Sequence, residues 1–329
     1  MQSPYTGKEM SFVFEKRTWC FRGEEFDYMH ASWFCVDSGE SFTTDETDDA
    51  AFIQVTNKYR AKYGIPYTDE IISLRKYYGV SATKMSHILG FGVNQWRLYE
   101  NGEVPSISNG RMIRSIMNPV VFLDLVNSSK EFMSTKEYTK LVDRIKVIIE
   151  CNDETEIRHY ENNRLYMCER GIDNGFGIKS ILRLKNLLLY ILESCGETFC
   201  TKMNKLLFYI DFVAFKQIGM SITGLSYRAL DYGPVPERWD RIYSQFDEIV
   251  QEPRISGEKE GMVLLGLDSA DKSLFTSNEL KIIDMVCSHF LQSSSNEISL
   301  ISHREPAWID FHKNKERIPY EYAFQLKEI

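Results

Sequence analysis

"YYGVSATKMSHILGFGVNQWRLYENGEVPS", residues 77–106, decides how the first half of the chain folds. Ser81 has the chemistry of an N-cap for a short helix, "ATKMSHIL", which Gly90 ends. "VNQWRLYE" reads as a second helix, closed by Asn101 and Gly102. The turn between them is "GFG", Gly90 to Gly92, and Leu89, Val93 and Trp96 are spaced to pack the two helices together. Such a pair presents the N-terminal part of its second helix to a DNA major groove. The candidate DNA-binding residues are Lys84 on the first helix and Asn94, Gln95 and Arg97 on the second. Asparagine and glutamine pair bidentately with adenine, and arginine with guanine or phosphate. A small helical bundle without a DNA role would carry the same pattern, so the residues alone leave both readings open.

Upstream, "EMSFVFEKRTWCF" and "FDYMHASWFCV" are aromatic and β-branched runs of strand length, separated by "RGEE" and ended by "DSGES". The acidic "TTDETDDAAF" opens a helix, as carboxylates favour the positive N-terminus, and Gly64 and Pro66 stop it. Next comes a helix over Thr68 to Tyr78. Downstream, Ser106 caps a helix through Met117, Pro119 starts another, and the helical pattern runs on from Asp124 to Glu150. The polar "CNDETEIRHYENNRLYMCERGIDNGFG" reads as a connector. The boundaries expected are a β region plus helix over 1–66, a helical domain over 67–150, a connector over 151–178 and a C-terminal domain over 179–329. The fold class expected is mainly α with small β elements.

The 329 residues carry a formal charge of −8, which argues against a protein that coats nucleic acid non-specifically. The segment 68–118 departs from that balance, with six basic against four acidic residues. The seven cysteines are odd in number and irregularly spaced, with no C-x-x-C pair, which points to reduced thiols and a cytoplasmic protein. There is no signal pattern and no apolar run of membrane-spanning length, so no membrane partner is expected.

In the second half, "SILRLKNLLLYILESCG" and "KMNKLLFYIDFVAFKQIG" read as strong helices. So do "PERWDRIYSQF", "TSNELKIIDMVCSHFLQ" and "EISLISHR", with "LSYRALDYG" and "MVLLGL" extended. Lys202 and Lys205 read as solvated, whereas Asp211, inside an apolar helix, needs a partner if buried. "DYGPVP" joins a glycine to two prolines, a rigid loop beside Tyr227, Tyr232 and Trp239. Aromatic anchors on a rigid loop lose little entropy on binding, so Tyr227, Asp231, Tyr232, Pro234 and Trp239 are the candidate partner-binding residues. A loop merely tucked against the core is the other reading.

Two resemblances bear on these segments. "GFGVNQWRLYENGEVPS" resembles the Xre-type DNA-binding domain of MqsA-like antitoxins, and "SPYTGKEM" and "FCVDSGES" sit where that family has a small zinc module, so the likeness covers about residues 1–125. Ser3, Thr6 and Ser38 stand with Cys35 at the positions of that module's two C-x-x-C pairs. One thiolate does not hold a tetrahedral zinc, and Cys20 and His30 fit no known spacing, so no metal or other cofactor is expected. Asn94 is the counterpart of the family's base-reading asparagine, but Leu98 stands where the family has its arginine. Arg97 points about 100° away from it on a helix and suits the phosphate backbone instead.

Residues 182–313 resemble the Panacea domain of a class of antitoxins and of SocA-like proteolytic adaptors, most specifically in "TKMNKLLFYIDF" and in "YGPVP", Tyr232 to Pro236. The resemblance implies an antitoxin of a type II-like pair, binding a cognate toxin protein directly and repressing its own operon through operator DNA. A homodimer is compatible with it. The alternatives are a transcription regulator without a toxin and a proteolytic adaptor. No nucleotide-loop, zinc-protease or serine-hydrolase string is present, and Cys287/His289 and His303/Glu305 lack a third group, so no enzyme is expected.

Overall fold

The computed structural model describes residues 1–151, 165–166, 168–256 and 259–329, and the chain is mainly α-helical with small β elements. Half of the expected connector, residues 152–164 and 167, lies outside the described residues. The chain divides into two compact units, one of Met1–Val55 with Glu161–Ile329 and one of Thr56–Tyr160.

In the first unit, β1 (Ser11–Phe21), β2 (Glu24–Cys35) and β3 (Glu40–Phe42) form an antiparallel meander. Phe21 pairs with Glu24, leaving Arg22 and Gly23 as a two-residue loop with φ of 54° and 83°. Positive φ at both positions is the geometry whose twist matches a hairpin. Helix α1 (Asp45–Tyr63) follows, with three carboxylates in its first turn, and its residues from Thr56 on are counted in the second unit. Among the described residues no second sheet covers the aromatics of the meander. Phe14 meets Phe324 at 5.3 Å between ring centres, and the Lys216 ammonium lies 5.6 Å from the Phe14 centroid. Gly219 lets α1 approach: a Cβ there would sit 2.8 Å from the Ala50 carbonyl oxygen. Residues 1–55 therefore share a core with the C-terminal residues, whereas the sequence suggested a region over 1–66 of its own.

The centre of this unit is α9 (Cys200–Ile218), every residue of which from Lys202 to Phe215 is buried. A helix buried on all sides, polar residues included, belongs in the middle of a core. Against it lie α11 (Ser277–His289) and α12 (Ser295–Ser302), opened by capping boxes at Thr276 and Ser294, while α8 (Ile181–Cys195) packs on α11. Strands β4 (Thr198–Phe199), β7 (Ile249–Ser256) and β8 (Lys259–Gly266) make a sheet of order β4-β8-β7. Strands β5 (Tyr227–Leu230) and β6 (Gly233–Pro236) make a hairpin, and α10 (Trp239–Ile242) and α13 (Pro306–Ile309) are single turns. "PERWDRIYSQF" is thus helical only from Trp239, because Pro236 is committed to β6. The end of the expected connector is structural: Phe176 is buried, and Gly177 packs so closely on Gly224 that a Cβ would clash.

The second unit contains α2 (Thr68–Tyr78), α3 (Ala82–Ile88), α4 (Gln95–Glu100), α5 (Ile107–Ser115), α6 (Pro119–Ser128) and α7 (Thr135–Glu150). The pattern expected to run unbroken from Asp124 to Glu150 is interrupted after Ser128 and restarts at Thr135, where Ser134 and Glu137 build a capping box. Trp96, Tyr78, Phe122, Ile113 and Ile145 form the core. Tyr78 stacks on Phe122 at 4.0 Å and donates its hydroxyl to the Ile116 carbonyl at 2.6 Å.

Candidate functional site

The "DYGPVP" string is a strand and its turn rather than a loop. Leu230 pairs with Gly233, so Asp231 and Tyr232 form the two-residue tip, with Gly233 at φ 104° leaving it. The five partner-binding candidates separate at once. Tyr232 is 75 % exposed and Trp239 41 %, and Asp231 is exposed, ion-paired to Lys315 at 2.8 Å. Tyr227 and Pro234 are buried and correct the expectation that they lie on the recognition face. In a strand successive side chains alternate, and both members of this hairpin face packed neighbours on the inner side.

The reason for Tyr227 is Asp211. This carboxylate is fully buried in α9 and accepts from the backbone N–H groups of Ile222 (2.9 Å) and Thr223 (2.8 Å), from the Thr223 hydroxyl, and from the Tyr227 hydroxyl at 2.7 Å. Burial pushes its pKa up to about 6, against the pull of those four donors. The sequence showed that Asp211 needed a partner but not which one, since the donors lie 11 to 16 residues away. The outer side of β5 is tied to the C-terminal segment: Ala229 N–H donates to the Glu316 carbonyl, Ile318 N–H to the Tyr227 carbonyl, and Trp308 Nε1 to the Leu230 carbonyl. Glu237 receives both Arg228 and Arg317. Lys202 and Lys205, expected in solvent, are both buried, because α9 is enclosed on every side. His289 meets Glu328, and Glu305 accepts from Tyr209.

At the N-terminus, residues 3, 6, 35 and 38 converge. The Cys35 thiol lies 3.6 Å from the Thr6 hydroxyl, and hydrogen bonds from Ser3, Ser38 and Thr6 bring its pKa down to about 6. Three hydroxyls thus surround one sulfur. Hydroxyls are poor ligands for a soft, borderline metal. No group of three or more metal-ligating side chains occurs among the described residues.

In the second unit, α3 and α4 are locked together through Ser86, whose hydroxyl accepts from the Trp96 N–H at 3.0 Å. Arg75 grips Glu100 with two bonds of 2.5 and 3.1 Å, and Trp96 Nε1 donates to the same carboxylate. This fixes the pitch of α4 and leaves Val93, Asn94, Arg97 and Leu98 exposed. Asn94 occupies the N-cap position without using its side chain as a cap. Gln95 instead donates to Glu103 at 3.1 Å, and Lys84 is paired with Glu137 at 2.7 Å. The helix begins at Gln95, two residues later than the sequence suggested.

Residues 203–309 match the family described as antitoxin SocA-like, Panacea domain. The match spans α9, the hairpin, the β7–β8 pair, α11, α12 and α13, and it supports a role related to toxin–antitoxin systems. No curated protein and no solved structure matches the chain. Among the described residues no helix is long and apolar enough to cross a membrane.

Proposed function

We propose that the chain is the antitoxin of a toxin–antitoxin pair, a cytoplasmic protein that neutralises its toxin by direct contact and represses its own operon. The observation that carries the reading is the family match over residues 203–309, inside which the hairpin tip projects an aromatic ring into solvent. Rigid exposed aromatics flanked by charge are the usual anchors of protein interfaces. Tyr232, Trp239 and Asp231 are the residues we assign to toxin contact. Inhibition is by steric cover of the toxin's working surface, without chemistry.

The DNA-binding part of the reading rests on α3 and α4 acting as a helix-turn-helix, with the MqsA-like likeness as its support. Asn94 reads base edges and Arg97 the backbone. Gln95 and Lys84 join them after exchanging their internal partners for DNA. The experiment is co-expression with the product of the adjacent gene, scored for growth. Rescue by intact chain with the toxin persisting in the cell supports neutralisation by contact. Rescue with loss of the partner protein would instead make the chain an adaptor for proteolysis, and failure of rescue would remove the antitoxin reading.

A further inference from the structure

Lys205 sits in mid-α9 with none of its side chain reaching solvent, and its ammonium nitrogen has no hydrogen-bond partner. Lys202, one turn earlier, donates to the Leu291 carbonyl at 3.1 Å. Gly233 of β6 lies directly above the tip of Lys205. A Cβ there would come within 2.5 Å of Lys205 Cε and 3.2 Å of its Nζ, and would overlap the Ser302 hydroxyl. Ser299, Ser302 and His303 are spaced i, i+3 and i+4 at the end of α12, so they share one face. Ser299 Oγ and His303 Nε2 are also buried without a partner. Burial, and after it the charge of Lys205, holds the His303 imidazole below its usual pKa.

Lys205 acts electrostatically on His303, which lies one helical turn from Ser299, and among the described residues no carboxylate offsets the effect of burial on Lys205, whose pKa is pushed down to about 7. An unpaired buried ammonium is costly, and donors left over in a core call for an acceptor. We propose that the Gly233 hairpin roofs a binding site for one small carboxylate, with Lys205 as its counter-charge and Ser299 and His303 as hydrogen-bond donors. A single lysine suits a monoanion better than a phosphate, which is ordinarily met by a planar guanidinium fork or several cations. The roof is the weaker strand of the hairpin. Pro234 and Pro236 carry no N–H, so only Gly233 and Val235 can donate from β6 to β5, while β5 is anchored separately to residues 316–318. The carboxylate comes either from the protein bound at the hairpin tip or from solution. The first source rests on the antitoxin reading and the second does not.

The test uses the full chain, sodium acetate as the probe, and sodium chloride at matched ionic strength, at a pH just below the pKa of Lys205. The melting temperature of the parent should rise with acetate as a single saturable site requires. Lys205→Met should abolish that rise and leave the chloride response unchanged. Ser299→Ala should raise the acetate midpoint about 10- to 100-fold, the loss of one hydrogen bond to a charged group. Equal acetate responses in parent and Lys205→Met overturn the proposal. Where Lys205→Met is not folded by circular dichroism, an unchanged midpoint in Ser299→Ala overturns it. With the acetate response established, weaker binding of the adjacent gene product in saturating acetate assigns the carboxylate to the partner, and unchanged binding assigns it to solution. Failed growth rescue by the parent strikes the antitoxin reading and leaves the acetate measurement standing.

Discussion

The Tyr227 hydroxyl donates to Asp211 Oδ2 at 2.7 Å, and neither side chain has any surface in contact with solvent. This bond ties β5 to α9 and explains an aromatic that would otherwise be read as an interface anchor. Tyr227→Phe should therefore behave as a stability mutation. It removes one of four donors from a buried carboxylate, which costs about 1–3 kcal/mol. Urea unfolding should show that loss, while affinity for the partner, measured on folded protein, stays at the parental value. A large loss of affinity without loss of stability would contradict the structural role.

Asp211 also gives a signed pH dependence. Its pKa in the folded chain is raised from 3.8 to about 6, so between those values the folded state holds a proton that the unfolded state has released. Its contribution to stability is complete below about pH 4 and is lost as pH rises through about 6. The largest slope a single group can give is about 1.4 kcal/mol per pH unit. Asp211→Asn should remove this component, seen as a difference in slope between parent and variant in denaturant titrations from acid to neutral pH.

The cysteine-poor module makes a prediction about metal. Ser3, Thr6 and Ser38 bring hydroxyls, not thiolates, to Cys35. Purified protein should contain no stoichiometric zinc by elemental analysis, and a chelator should leave its melting temperature where it was. A chelator-induced drop would show that the hydroxyl cage, or ligands elsewhere, holds a metal after all.

What was legible in the sequence was local. Ser81, Ser106 and Pro119 mark helix ends by capping chemistry that needs no tertiary knowledge, and α2 runs from Thr68 to Tyr78 as the pattern required. "RGEE" marked the first hairpin, although the turn is only Arg22-Gly23 and both glutamates belong to β2. What failed was long-range. Lys205 looked solvated because charge usually means surface, yet α12 and β6 enclose it from positions 28 and more residues away. Pro234 looked like a loop residue because proline is rare in sheets, and it is tolerated here because β6 is one strand of a two-stranded sheet. The association of residues 1–55 with the C-terminal core rests on contacts such as Phe14 with Phe324, which no window of sequence contains.

For DNA, the exposed side chains of α4 make separable predictions. Asn94 does not cap the helix and Arg97 is exposed, so neither alanine substitution should alter folding. Asn94→Ala should cost about 1–3 kcal/mol on the operator and relax sequence preference, as for a lost base contact. Arg97→Ala should weaken all duplexes evenly and lower the salt slope by about one phosphate's worth. Electrophoretic or anisotropy titrations at several salt concentrations distinguish the two. If both variants bind the operator as the parent does, α4 is not the reading helix.

The hairpin tip supplies the sharpest contrast. Tyr232 has three-quarters of its surface in solvent, while Tyr227, on the same hairpin, has none. If the tip is the toxin-binding surface, the cost of truncation should follow exposure and not residue type. Tyr232→Ala and Trp239→Ala should each leave the urea midpoint within experimental error. Each should weaken toxin binding by about 2 kcal/mol or more, the scale of an interface anchor, and so reduce growth rescue. Asp231→Ala should cost less, because its pairing with Lys315 is exposed and such pairs contribute about 0–1 kcal/mol. Asn94→Ala serves as the control that should retain full rescue. Calorimetry on the purified variants and growth assays in parallel give both readouts. Wild-type affinity in the Tyr232→Ala, Trp239→Ala double variant would remove the hairpin tip as the contact surface and send the search to another face of the 203–309 segment.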